Sequence, residues 1–323
     1  MDLLDRFSIN KPIFQAGMAD ISRSALVSAV SRAGGLGTVG LSPPAQFEAD
    51  ILDTIDQLSG ETFSVNLLMP FVLREHVSIC LRNRVPIATL FFGIDRTLIN
   101  ELKENGCLVA MQIGDVTEAS RAVATGVDAL IVQGTEAGGH VRGEETLRKL
   151  LPEIRNRFPD VPVLAAGGIY DRRSAESATS LGADGVVCGT RFLMSHESFA
   201  HDEYKARLIR AEDTVLTRLF GLGWPDKHRV LRNGATEKWT TQGRIPGWLK
   251  LLHGSSRFLA KSRADRRKIV SKQTLRYPLY TPSPMKPGME SSQADVTALY
   301  AGECVSKIDR LDSAQSIVEE IAG

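Results

Sequence analysis

Short runs of apolar, often β-branched residues alternate along the first two thirds of the chain with segments whose apolar positions recur at i, i+3 and i+4. The runs predict strands over residues 13–16, 36–39, 63–66, 87–91, 107–112, 129–132, 163–166 and 185–188. The periodic segments predict helices over 23–33, 45–58, 73–82, 96–104, 116–125, 146–158 and 173–181. The strands are continuously apolar rather than alternating, which points to a parallel sheet covered by helices. Eight strand-then-helix units favour closure into a (β/α)8 TIM barrel, with a doubly wound open sheet as the competing architecture.

The pattern breaks after about Ser198. Residues 199–292 lack strand-like alternation, are rich in helix formers and hold three tryptophans, Trp224, Trp239 and Trp248. They are expected to form a mostly helical insertion after strand eight, while residues 1–198 plus 293–323 form the barrel. The segment 308–321 returns to amphipathic spacing and is expected to pack back on the barrel.

Composition narrows the class. The chain has 323 residues, 43% of them hydrophobic, with a formal charge of +1. That balance suits a soluble globular protein and argues against a nucleic-acid partner held by overall field. No run approaches a membrane span, and MDLLDRFSIN is too acidic for a signal peptide, so neither a membrane partner nor export is expected and the cytoplasm is. Cys80, Cys107, Cys188 and Cys304 are widely spaced, with no histidine at ligand spacing, so neither disulfides nor a metal is expected.

Candidate chemistry gathers where strands end. Strands seven and eight finish in Gly167-Gly168 and Gly189-Thr190. Glycine lets the backbone approach an anion closely, and adjacent barrel strands ending this way form the recurrent phosphate site of the fold. Each pair alone is equally readable as a helix-initiating turn. The segment 35–40 (GLGTVG) matches a dinucleotide-binding fingerprint, but it follows a helix and flanks a strand, the wrong context, so a tight turn is expected there. Strand six leads into Gly134-Thr135-Glu136-Ala137-Gly138-Gly139-His140. Two glycines there let the backbone lie flat against a planar ligand and aim an imidazole inward, which makes His140 the catalytic candidate. The plain alternative is a loop histidine held by a carbonyl, the reading given to the other five.

Residues 15–19 (QAGMA), 33–37 (AGGLG), 64–67 (SVNL), 134–140, 165–169 (AAGGI) and 183–192, resumed at 299–302 (LYAG), together resemble the nitronate monooxygenase family. Residues 224–233 (WPDKHRVLRN) are similar to the insertion of bacterial members. The resemblance implies FMN in a TIM barrel beneath a helical lid. It implies phosphate contacts from Gly167, Gly168, Gly189 and Thr190, a flavin edge along Ala16, Gly17 and Met18, polar contacts from Asn66 and Gln112, and Gly139 beside the ring. It implies further that Tyr300 and Gly302 close the phosphate end and that His140 is the active-site histidine. The implied reaction oxidises alkyl nitronates by dioxygen to a carbonyl compound and nitrite. His140 would act either as a base toward neutral nitroalkane or, as imidazolium, as a counter-charge.

Three positions depart from the family pattern. Asp20 puts a carboxylate near the flavin edge, Glu303 replaces a commoner Gln, and Arg172 belongs to a bulkier loop that would add a cation near the phosphate. Related flavoenzymes share the glycine and histidine motifs, so an NAD(P)H-dependent reductase of an enoyl or acyl thioester or a quinone is an alternative. A non-catalytic flavin-binding protein is the second alternative. Residues 257–276 hold eight basic residues and one acid, suited to acyl-CoA phosphates, to an acidic carrier protein or simply to solvent.

Overall fold

A computed structural model describes residues 2–256 and 269–323. Eight parallel strands form one sheet: β1 Ile13–Gln15, β2 Gly37–Val39, β3 Phe63–Leu68, β4 Ile87–Phe91, β5 Leu108–Ile113, β6 Ala129–Gln133, β8 Val163–Ala166 and β9 Gly185–Cys188. The intervening β7, Gly139–Val141, lies outside that sheet. Phe14 bridges Leu36 in parallel, and Leu36 N donates to Ile13 O at 2.8 Å, so β1 meets β2 and the cylinder closes. The open-sheet alternative is thereby excluded.

Side chains from alternate strand positions fill the cylinder, among them Phe14, Leu36, Ile87, Ile131, Leu164 and Val187. The short helix Leu3–Phe7 packs into the same cluster through Leu3 and Phe7, and Phe7 meets Phe14 edge-on at 5.5 Å. Arg6 reaches Asp128, immediately before β6, at 3.7 Å. This helix therefore plugs the end where strands begin, leaving the carboxyl ends for a ligand. The glycines of residues 35–40 serve packing: an added Cβ at Gly37 falls 2.1 Å from Val27 O, and one at Gly40 falls 1.9 Å from Ala19 O.

The helix expected near the C-terminus, Ala314–Ala322, packs between helices Ser24–Arg32 and Arg172–Ser180, completing the outer ring. Buried Arg191, just past β9, ties it down through ion pairs to Asp312 and Glu320.

The chain after β9 contains helices Asp202–Ile209, Gly234–Trp239 and Gly247–Ser255, and it also contains strands the sequence pattern does not predict. β10, Thr214–Thr217, and β11, Lys227–Leu231, run antiparallel, and β11 pairs with β7. This three-stranded sheet joins the insertion to the loop after β6. Lys227 and Arg229 are buried in it because each finds acceptors: Lys227 on Gly143 O at 2.7 Å, Arg229 on Thr135 O at 2.8 Å.

Candidate active site

A cavity of about 1160 Å³ opens at the carboxyl ends of the barrel strands. All thirteen residues singled out from sequence line it. They arrive in groups from several separate turns of the chain, and the local reasons differ.

At the end of β1, Ala16, Gly17 and Met18 form one wall. Gln15 shapes it, donating to Ala16 O and to Ser22 Oγ at 2.8 Å while its Oε1 accepts Thr38 N at 2.9 Å. Gly17 lies against Asn66 of β3, where an added Cβ would fall 2.3 Å from the Asn66 Cβ. Gln112 of β5 faces the same space.

Gly167 and Gly168 follow β8 with φ of +126° and +73°, values that favour glycine. No hydrogen bond among the described residues is donated by either amide, which leaves both free for an acceptor. The helix expected to open behind them starts only at Arg172, and its first turn is already capped by Asp171 and Ser174. This part of the cavity wall therefore presents loop amides, without a helix terminus. Beside it, Gly189 precedes the turn Thr190–Leu193, and Gly302 N donates to Thr190 Oγ1 at 2.8 Å. The C-terminal stretch is held there by Glu303 N on Glu136 O at 3.0 Å and by Tyr204 Oη on Tyr300 O at 2.5 Å.

The two glycines before His140 do separate jobs. An added Cβ at Gly138 would fall 2.5 Å from Ala301 C and Gly302 N, so this glycine admits the C-terminal backbone rather than a ligand. Gly139 has φ +79° and open space where a Cβ would be. His140 itself sits on strand β7, correcting the expectation of a loop residue. Gln133 orients this strand, donating to His140 O at 2.9 Å and accepting Arg142 N at 3.1 Å. The His140 Nε2 is buried without a hydrogen-bond partner, as is Tyr300 Oη, and the two rings lie 5.5 Å apart.

His228, which sequence reasoning set aside, packs against His140 behind the cavity lining. It is the register partner of His140 on β11, fully buried, with ring centroids 4.7 Å apart. Burial pushes the His140 imidazole down to about 4, and His228 well below the ordinary histidine range, the second lowered also by its neighbour. Both rings are neutral at neutral pH. Only the adjacent antiparallel pairing, invisible to hydrophobic periodicity, brings His228 here.

The departures are resolved structurally. Asp20 forms an ion pair with Lys286, which offsets its charge at the cavity wall. Glu303 pairs with Arg229 at 2.8 Å. Arg172 pairs with Glu176 at 2.8 Å on the exposed face of its helix and does not line the cavity, contrary to the expected cation near the phosphate. Most of the basic segment, residues 257–268, lies outside the described residues. All four cysteines are buried and free, and burial raises Cys80 and Cys107 to about 12, so these two thiols are inert as nucleophiles. Among the described residues no cluster could hold a metal ion, and no helix is long and apolar enough to cross a membrane.

Known proteins match this architecture along the chain. The sequence model described as nitronate monooxygenase matches residues 2–73 and 44–323. A (3aS,4S,5R,7aS)-5-hydroxy-7a-methyl-1-oxo-octahydro-1H-indene-4-carboxyl-CoA dehydrogenase of Mycobacterium tuberculosis is 31% identical, covering 99% of this chain and 94% of the relative. A probable nitronate monooxygenase of Bacillus subtilis is 32% identical over 68% of this chain and 76% of its own. Among solved structures, FabK from Thermotoga maritima superposes with a TM-score of 0.77 at 29% identity, covering 99% of this chain and 94% of its own. Nitroalkane oxidase from Streptomyces ansochromogenes gives 0.78 at 27% identity, with coverage of 99% and 96%. A closed eight-stranded barrel, a glycine-walled cavity at its carboxyl end and a match running the length of the sequence make this chain an oxidoreductase of the nitronate monooxygenase family.

Proposed function

We propose that the chain is an FMN-dependent oxidoreductase that oxidises alkyl nitronates with dioxygen to a carbonyl compound and nitrite. The observation that carries the reading is one cavity lining that holds both His140, a largely uncharged imidazole, and Gly167 and Gly168, whose amides are free. Free amides lining a cavity can be satisfied by a ligand bound there. The residues fit FMN on that test: amides of Gly167, Gly168, Gly189 and Thr190 for the phosphate, Ala16 to Met18 along the ring edge, Asn66 and Gln112 for its polar atoms, and Gly139 against its face. Tyr300 and Gly302 close the phosphate end.

When bound, the flavin supplies the electron acceptor. The chain supplies the rest. The His140 imidazole takes the α-proton of a neutral nitroalkane or donates to a nitronate oxygen, depending on its tautomer. An anion at that position raises the basicity of the ring. The imidazolium therefore follows the anion rather than waiting for it. Phe91, Ile169 and Leu68 on the lining limit water around the reacting atoms.

A second reading is favoured by size. The cavity exceeds the roughly 300–1,000 Å³ of a site for one drug-sized ligand, which leaves space beside a flavin for an acyl thioester, with NAD(P)H as electron donor. The likeness over 99% of the chain to a carboxyl-CoA dehydrogenase supports it.

Anaerobic mixing of the flavin-loaded protein with propyl-2-nitronate, with NADH and with an acyl-CoA separates the readings. Bleaching by nitronate, with a His140→Ala variant at least about 100-fold slower on neutral nitroalkane, is the expected result. Bleaching only by NADH or the thioester transfers the assignment to the second reading, and no bleaching by any of them contradicts both.

A further inference from the structure

Helix Gly247–Ser255 turns the wrong face outward. Trp248, Leu251 and Leu252, at i, i+3 and i+4, are 54%, 77% and 37% exposed, while Leu249 and His253 are buried. A globular helix ordinarily buries a stripe of that spacing. The stripe continues across neighbouring segments of the same chain. Trp239 meets Trp248 edge-on at 6.4 Å, and its Nε1 donates to Leu275 O at 3.0 Å. Beyond it, Leu275, Tyr277 and Leu279 are also exposed. Contiguous exposed apolar surface of this kind marks an interaction site.

Cations rim the patch. Lys238 Nζ lies 5.6 Å from the Trp239 ring centre, Arg276 Cζ lies 5.3 Å from that of Tyr277, and Lys250 stands on the helix itself. Charge is concentrated in this part of the described chain: residues 237–256 and 269–279 contain five Lys and Arg and one acid, Glu237, in a chain with 39 basic and 38 acidic residues. The remainder is consequently net acidic.

We propose that this face docks on the surface of an anionic phospholipid bilayer, with Trp248, Leu251, Leu252 and Tyr277 entering the headgroup boundary and the surrounding Lys and Arg meeting lipid phosphates. Tryptophan and tyrosine are suited to that boundary because each joins an apolar ring to a polar group. Basic residues around an outward apolar helix face are the charge pattern of surface-bound helices. A second copy of the chain is disfavoured as occupant, since a two-fold contact would set the two cationic faces against each other. Val270 and Ser271 line the catalytic cavity a few residues from Tyr277, so docking brings the cavity rim to the bilayer.

Sedimentation of the full-length, flavin-loaded protein with vesicles tests this. Vesicles containing phosphatidylglycerol are expected to bind it at least about tenfold better than pure phosphatidylcholine, with the difference shrinking as salt rises. Leu251→Glu and Lys250→Glu should each reduce that binding several-fold while leaving thermal unfolding unchanged, because both positions are outside the core. Equal binding to the two vesicle types, or none, overturns the proposal. So does self-association abolished by Leu251→Glu without vesicle binding, or capture restricted to an acidic protein.

Discussion

His140 shows how a residue's surroundings select its chemistry. It ionises near 6.5 in an unfolded chain and near 4 in the folded one because burial penalises the imidazolium. Protons then bind the unfolded state more strongly, so the stability from its neutral burial is intact above about pH 6.5 and is lost as pH falls through about 4. Asp50, raised to about 6 by its own burial, acts oppositely: its contribution is full below 3.8 and disappears as pH rises through about 6. Substitution separates the two. Urea midpoints should fall less steeply between pH 6.5 and 4 in His140→Gln than in the parent, and superimposable slopes would show that His140 is not buried in its neutral form. The residue type and position of this histidine were legible from the glycines before it. Its partner was not, because His228 carries a signal only once β11 is placed beside β7.

At the scale of elements, the eight barrel strands were legible because each is a continuous apolar run with a turn on either side. The small sheet was not. β11 reads Lys227-His228-Arg229-Val230-Leu231, three polar residues in five, yet every one is buried. Their burial depends on acceptors from the loop after β6, a tertiary fact with no local period. The glycines at this junction give a direct comparison. Gly138→Ala pushes a methyl into the backbone of residues 301–302 and should lower stability by roughly 1–3 kcal/mol while loosening the C-terminal stretch from the cavity. Gly139→Ala meets no atom within 4 Å and carries only the strain of its positive φ, roughly 1 kcal/mol. Thermal unfolding of the two variants should rank them in that order. The reverse ranking would mean that the C-terminal segment does not pack on β7 as described.

For the whole molecule, closure of the cylinder sets every strand's carboxyl end around one mouth, which is why residues as distant as Ala16, Gly168 and Gly302 share a cavity. The plug helix Leu3–Phe7 seals the other end, and the helix Ala314–Ala322 completes the outer ring that Arg191 fastens. Cofactor, orientation and chemistry in the proposed function all depend on a phosphate held at Gly167 and Gly168. The most direct test is the ratio of affinities of the flavin-stripped protein for FMN and for riboflavin, which differ only in the phosphate. Charge-assisted hydrogen bonds contribute roughly 1.5–3 kcal/mol each, so two free amides predict FMN binding at least about 100-fold tighter, with both ligands contacting the same ring site. Equal affinity for the two would contradict a phosphate held by Gly167 and Gly168.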